Sequence, residues 1–275
     1  MQNILILGGT GKVGRRIAQR LQTDGVPART ATRSAGDLRL DLDEPATWRP
    51  AFDGVTAAYL VEPNLQASME NRERIPHLVA EAVAAGVRRF VLLSAPLADD
   101  PGHPLHAAEQ AVRGCGAEWT ILRPDWFAQN FSEGPWLPGI LAGTLALPTG
   151  QGRTPFVDAE DIAEVAATAL TGDGHSGRTY HLTGPRAIGL AEAVALIGKA
   201  TGRAVRYIDV DADAFVERQI SCGVPPAVAR LLTGLFVAIR DGQATTPSDD
   251  VTRALGRPPR RFEDYVAGAV DRWRV

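Results

Sequence analysis

Ile4-Leu5-Ile6-Leu7-Gly8-Gly9-Thr10-Gly11-Lys12-Val13-Gly14 is the stretch that decides the fold class. Four apolar residues in a row read as a short strand buried on both faces. The glycines end it, and Val13, Ile17, Ala18 and Leu21 then recur at helical spacing up to Gly25. The glycines satisfy both G-x-x-G-x-x-G and G-x-G-x-x-G, and they stand between a strand and a helix, the context that gives the motif its meaning. Glycine permits the tight turn and lets the backbone approach a pyrophosphate, while the helix N-terminus offers free N–H groups and the positive end of its dipole. Gly8, Thr10, Gly11, Lys12, Val13 and Gly14 are therefore candidate dinucleotide-binding residues.

Working outward, strand-like runs occur at 26–32, 38–42, 57–61, 89–93, 118–122 and 178–182. Helical spacing occurs between them, as in Ile75, Leu78, Val79, Ala82 and Val83 before Gly86, and over 107–112 and 158–170. This alternation predicts an α/β, doubly wound parallel Rossmann sheet joined by right-handed crossovers. Residues 124–152, rich in Gly, Pro and Trp, read as irregular. Helices are expected at 189–200, 211–220, 225–240 and 262–273, with a strand at 205–210. In the 225–240 helix, Val228, Leu231, Leu232, Leu235, Phe236 and Ile239 are expected on one face. The expected organisation is an NAD(P)-binding body over 1–152, with 153–185 completing the sheet, and a smaller, mostly helical C-terminal substrate lobe over 186–275.

Composition excludes several function classes. The 275 residues are 45% hydrophobic and 22% charged, with a net charge of −3, which argues against a nucleic-acid partner. The apolar runs are too short to span a bilayer, so no membrane is expected. The strand-like run at 3–7 predicts no signal peptide. Cys115 and Cys222 form neither a disulfide framework nor a metal spacing, so a cytoplasmic protein without a metal is expected. Monomer and homodimer both fit.

The end of the second strand selects the cofactor. An acid there would hold the 2′-hydroxyl of NAD. The sequence has Thr32-Arg33-Ser34 instead, and a guanidinium pairs with a 2′-phosphate through two parallel hydrogen bonds. Arg33 and Ser34 thus predict NADPH. Asp41 either contacts the adenine or caps a surface turn.

Further segments carry a family resemblance. They are Tyr59-Leu60-Val61-Glu62-Pro63, Arg89-Phe90-Val91-Leu92-Leu93-Ser94, Trp119-Thr120-Ile121-Leu122-Arg123-Pro124, Trp126-Phe127-Ala128-Gln129-Asn130-Phe131, Pro155-Phe156-Val157-Asp158 and Tyr180-His181-Leu182-Thr183-Gly184-Pro185. With the glycine-rich start they resemble the NmrA-like branch of the atypical short-chain dehydrogenase/reductase superfamily over nearly the whole chain, and most of all the ergot-alkaloid-type reductase subgroup and its bacterial relatives. The resemblance implies an NADPH-dependent enzyme acting on imine or iminium intermediates. The branch also holds quinone reductases and redox-sensing regulators that bind a dinucleotide without turnover.

Against that background one absence is informative. Of 29 basic residues only Lys12 and Lys199 are lysine, and none of Tyr59, Tyr180, Tyr207 and Tyr265 has a lysine four residues downstream. The wider superfamily's Tyr-x-x-x-Lys proton-delivery pair is missing. Aligned on Ala108-Glu109, His103 falls near the tyrosine position and Ala107 near the lysine position. An iminium carbon is already cationic, so hydride addition gives a neutral amine with no proton at that step. A carbonyl would develop an alkoxide needing a donor. The sequence therefore points to an imine, iminium or quinone-like acceptor, aromatic or polycyclic, in specialised metabolism. The alternatives are a non-catalytic NADP(H)-binding redox sensor and a co-opted scaffold that couples aromatic metabolites.

Candidate site residues follow from strand ends and from the resemblance. Ser94, with Ala95 and Pro96, is expected beside the nicotinamide. Trp126, Phe127, Asn130 and Phe131 either line a pocket for a flat ring or pack internally. Asp125 either steers a cation or acts as an acid, or else caps a helix. His103 is either a proton donor or a capping histidine.

Overall fold

The computed structural model describes residues 3–244 and 246–274. Ile4–Leu7 is β1, with every side chain buried. Gly14–Thr23 is α1, which turns Ile17 and Leu21 inward. Next come β2 (Ala28–Thr32), β3 (Leu38–Arg39), α2 (Trp48–Ala51), β4 (Ala57–Val61), α3 (Leu65–Glu70) and α4 (Arg74–Ala84). They are followed by β5 (Arg89–Leu93), α5 (His106–Gly114) and β6 (Glu118–Pro124). The next elements are α6 (Leu137–Leu141), β7 (Thr144–Leu147), β8 (Arg153–Thr154), α7 (Ala159–Thr171) and β9 (Arg178–Leu182). Then come β10 (Ile188–Gly189), α8 (Leu190–Thr201), β11 (Arg206–Asp209), α9 (Ala212–Ser221) and α10 (Pro226–Arg240). The last are α11 (Asp250–Leu255) and α12 (Phe262–Ala269).

Seven strands form one parallel sheet in the order β3-β2-β1-β4-β5-β6-β9. From β1 the chain winds outward through β2 and β3, then returns to place β4 on the other side of β1. The strand order therefore reverses between β1 and β4, and the loops leaving their carboxyl ends face the place where such sheets bind ligands. The apolar faces of β1, β4 and β5 join α2 and α4 in a core that includes Leu5, Phe52, Leu60, Leu78 and Phe90.

Two units of chain contacts emerge, each assembled from separated segments. The first is Met1–Pro124, Ala159–Leu182 and Asp250–Arg257. The second is Asp125–Asp158, Thr183–Asp249 and Pro258–Val275. The expectation was a body over 1–152 with 153–185 completing its sheet and a lobe over 186–275; in the structure both units interleave along the chain. The first unit holds the sheet and takes α7, β9 and α11 from later in the sequence. The second has its own aromatic core, in which Phe131, Trp136, Phe156, Phe236, Phe262 and Trp273 meet. Small sheets pair β7 with β11 in parallel and β8 with β10 antiparallel.

The structure departs from the sequence expectations in several places, three of which bear on packing. Residues 124–152 hold α6 and β7. Thr144–Leu147 alternates half-buried and buried side chains and pairs with β11 some 60 residues away, a partner no local pattern announces. β6 runs past Leu122 through Arg123 and Pro124; a proline is tolerated at the strand's last position, opposite Leu182. In α10 the inward stripe is Ala229, Thr233, Phe236 and Ile239, and Leu235 is exposed. Small residues allow close packing there, so the buried face is turned from the one the largest side chains suggest.

Candidate functional site

The loop after β1 is built around backbone. Gly8 has φ +69, a conformation that favours glycine, and its N–H donates to the Ala31 carbonyl at 2.9 Å. A Cβ on Gly14 would lie 2.3 Å from the Gly8 carbonyl oxygen, so the helix start sits directly on the turn. Val13 stands at the N-cap of α1 with no side-chain cap bond and no acidic residue in the first turn, while Arg15 and Arg16 fall in that turn. Thr10 and Gly11 are exposed, Lys12 is half-buried and the Val13 side chain joins the core. The loop thus sets backbone N–H groups at the positive end of a helix, while Arg16 is held by Glu160 at 2.6 Å.

At the end of β2, Arg33 and Ser34 are exposed, and Arg33 has no ion-pair partner among the described residues. Asp41 takes the capping role. Its carboxylate accepts from the Asp43 N–H at 3.0 Å, and its carbonyl accepts from the Trp48 indole at 2.7 Å.

At the carboxyl edge of β5 and β6, Ser94 follows Leu93, and its N–H donates to the Leu122 carbonyl at 2.7 Å. The Ser94 hydroxyl donates to Glu109 Oε1 on α5 at 2.6 Å. Arg123, the penultimate residue of β6, clamps the same carboxylate, with Nε at 2.8 Å from Oε1 and Nη2 at 2.6 Å from Oε2. Arg113 Nη2 adds a bond to Oε2 at 3.3 Å, and Arg123 Nη1 reaches Asp99 at 3.0 Å. Glu109 is 0% exposed. Burial alone would raise its pKa, but the hydrogen bonds from Arg123 and Ser94 and the guanidinium charge hold it below the usual carboxylate range. The loop that continues from Ser94 carries Leu97 at φ +62 with 70% of its surface exposed.

His103 precedes α5. Its Nδ1 accepts from the Leu105 N–H at 3.1 Å, and burial lowers its pKa, which favours the neutral ring. Asp125 behaves differently. The 3-10 turn Ala128–Phe131 starts with Phe127 at its cap position and no side-chain bond, so Asp125 caps no helix there. Its Oδ1 accepts from the Trp126 N–H at 2.9 Å and the Thr154 hydroxyl at 3.3 Å. Burial pushes its carboxyl up to about 6, and those two bonds only partly oppose the shift.

Trp126, Phe127 and Asn130 are half-buried. Trp126 stacks on Phe236 at 4.9 Å and on Trp136 at 5.4 Å between ring centroids. Phe131 is fully buried, edge-on to Trp136, Phe156 and Phe262, and so takes the packing role.

The sequence alone points to no functional role for Glu62, Arg123 or Glu109. Glu62 follows β4, is buried, and pairs with Arg74 at 3.1 Å while its second oxygen lacks a partner; burial raises its pKa. For Glu62, an acid just past a parallel strand was the available signal; Arg123 lies inside β6 and Glu109 on α5, where a lone charge carries no such signal. Elsewhere, the tyrosines are occupied or inaccessible. Tyr59 is buried without a partner and burial raises its pKa, Tyr180 meets His175 at 2.9 Å, Tyr207 meets Thr149 at 2.8 Å, and Tyr265 donates to Ser132 at 2.8 Å. Among the described residues, no group of three or more His, Cys, Asp or Glu side chains could hold a metal, and no helix is long and apolar enough to cross a membrane.

A model described as the NmrA-like family matches residues 1–266. The chain is 34% identical to the (4-alkanoyl-5-oxo-2,5-dihydrofuran-3-yl)methyl phosphate reductase of Streptomyces griseus, covering 96% of each protein. It is 30% identical to the NAD(P)H azoreductase of Xenophilus azovorans, again over 96% of each. Its fold is similar to the crystal structure of Citrobacter sp. triphenylmethane reductase complexed with NADP(H), with a TM-score of 0.80 at 23% identity over 97% of this chain and 99% of that one.

Proposed function

This chain belongs to the NmrA-like family, and on that premise we propose that it is an NADPH-dependent reductase of a small imine, iminium or quinone-like acceptor. The observation that carries the proposal is the glycine loop after β1. Its residues suit a dinucleotide pyrophosphate: a turn that only glycine fits at Gly8 and Gly14, a helix start with no side-chain cap, and no acidic residue in the first turn of that helix. Gly8, Thr10, Gly11, Lys12, Val13 and Gly14 would hold the pyrophosphate. Arg33 and Ser34 would hold the 2′-phosphate, and Ser94 would stand at the nicotinamide end.

When bound, the nicotinamide supplies a hydride. The chain's part is to bind, to orient and to manage one proton. No tyrosine is followed by a lysine four residues on, and burial or bonding occupies each tyrosine. Asp125 is the side chain suited to hold a proton near neutral pH, because burial brings its carboxyl to about 6. An acceptor that is already cationic places little demand on it. Trp126, Phe127 and Asn130 offer a half-buried aromatic and amide surface for a flat acceptor. The named substrates of the two relatives, an azo group and a dihydrofuranone, are unsaturated acceptors of a compatible kind.

Oxidation of NADPH by the purified protein, followed at its absorbance band with a panel of cyclic imines and quinones, tests the reading. Turnover with at least one class is expected. Tight NADPH binding with no turnover on any of them would instead favour the sensor. Replacing Arg33 with Asp should weaken NADPH at least tenfold and NADH little; equal losses would remove Arg33 from the 2′-phosphate.

A further inference from the structure

We propose that Ser94 serves its ligand as a hydrogen-bond acceptor, not a proton donor, and so selects a partner that carries N–H. The inference rests on the reductase reading above and deepens it. Glu109 receives four donors: the Ser94 hydroxyl and Arg123 Nε on one oxygen, and Arg123 Nη2 and Arg113 Nη2 on the other. A carboxylate has about four lone-pair sites, and here they are filled. With both arginines permanently cationic and Glu109 ionised, the only mobile proton in the cluster is that of the Ser94 hydroxyl. Turning that proton outward would strip a bond from a carboxylate that is 0% exposed. What Oγ has left to offer is its lone pairs.

Lone pairs cannot stabilise a carbonyl or alkoxide oxygen. They can receive an N–H. Two groups of the proposed reaction carry one, the carboxamide of the nicotinamide and the N–H of a protonated imine. Their shared chemistry is what Ser94 would recognise, and arginine binding at Glu109 is what fixes the polarity. Ser94 thus differs from a serine whose hydroxyl is free to turn either way.

Titration calorimetry on the full chain tests this with wild type, Ser94→Ala and Ser94→Thr. The first ligand pair is NADP and its 3-acetylpyridine analogue, in which a methyl ketone replaces the carboxamide and removes the N–H. Ser94→Ala should weaken NADP about tenfold and the analogue less than twofold if the carboxamide is the partner. The second pair is a cyclic iminium bearing N–H and its N-methyl counterpart. If the acceptor is the partner, kcat/KM should fall about tenfold for the first alone. Ser94→Thr, which keeps the hydroxyl, should retain the wild-type ratio in whichever pair responds. Each pair is measured on one variant, so a general loss of folded protein cancels in the ratio. Equal losses within both pairs, or no loss in either, would overturn the proposal. A wild-type protein that fails to bind NADP at all would overturn the reductase reading, a result recognisable before any variant is made.

Discussion

Two single residues stand out because their surroundings oppose their chemistry. Asp125 ionises near 3.8 in an unfolded chain but about 6 in the fold, because burial penalises its charge. The folded state therefore binds the proton more tightly. The stability from the neutral acid is whole below pH 3.8 and is lost as the pH rises through 6, a fall on the order of 3 kcal/mol. Denaturant unfolding between pH 3.5 and 7 should show this fall in the wild type, and Asp125→Asn should flatten it. Leu97 holds a left-handed conformation that costs an L-residue about 1–2 kcal/mol, and its side chain is mostly in water. Leu97→Gly should raise stability by about 0.5–1 kcal/mol after the entropy of glycine is counted, visible as a higher melting temperature. Neither peculiarity was legible in the sequence. An aspartate before a tryptophan reads as a possible cap, and a leucine after a proline reads as ordinary. For Asp125 the contact with Thr154 comes from a partner distant along the chain.

Elements were more legible where the signal was local. β4 and β5 occupy the residues their apolar runs predict, 57–61 and 89–93, and β9 occupies the strand-like run at 178–182. Buried parallel strands are near-continuous apolar runs with sharp ends. β7 escaped because its reason for existing is β11. The tie between α5 and β6 escaped as well, since Glu109 and Arg123 look like any charged pair until both are seen buried. That tie is open to measurement. Glu109→Leu should cost about 3–5 kcal/mol, because it strands a buried guanidinium, whereas Glu109→Leu with Arg123→Met should cost distinctly less. A double-mutant cycle in urea reads the difference directly. Equal costs for the single and the double would mean that the pair is solvated.

At the scale of the whole molecule, the alternation of strands and helices led to the right sheet, and the glycine loop to the right end of β1. How the segments are shared between units was not legible, because periodicity carries no information about where the chain returns. The return matters for synthesis. A polypeptide is made from its first residue onward at about 5–20 residues per second. The sheet needs β9 beside β6, and so stays open along that edge until residue 182 has been made. The second unit waits longer, since Trp273 is fully buried in its core and its indole donates to the Phe131 carbonyl at 2.9 Å. Each unit must keep an apolar edge or core exposed while the other's segments are still being added. A nascent chain halted near residue 152 should bind chaperone and resist compaction, and it should be cleaved far faster than the full chain in limited proteolysis. The order in which this protein emerges is thus at odds with the order in which its parts close, and the interval between them is its most vulnerable period.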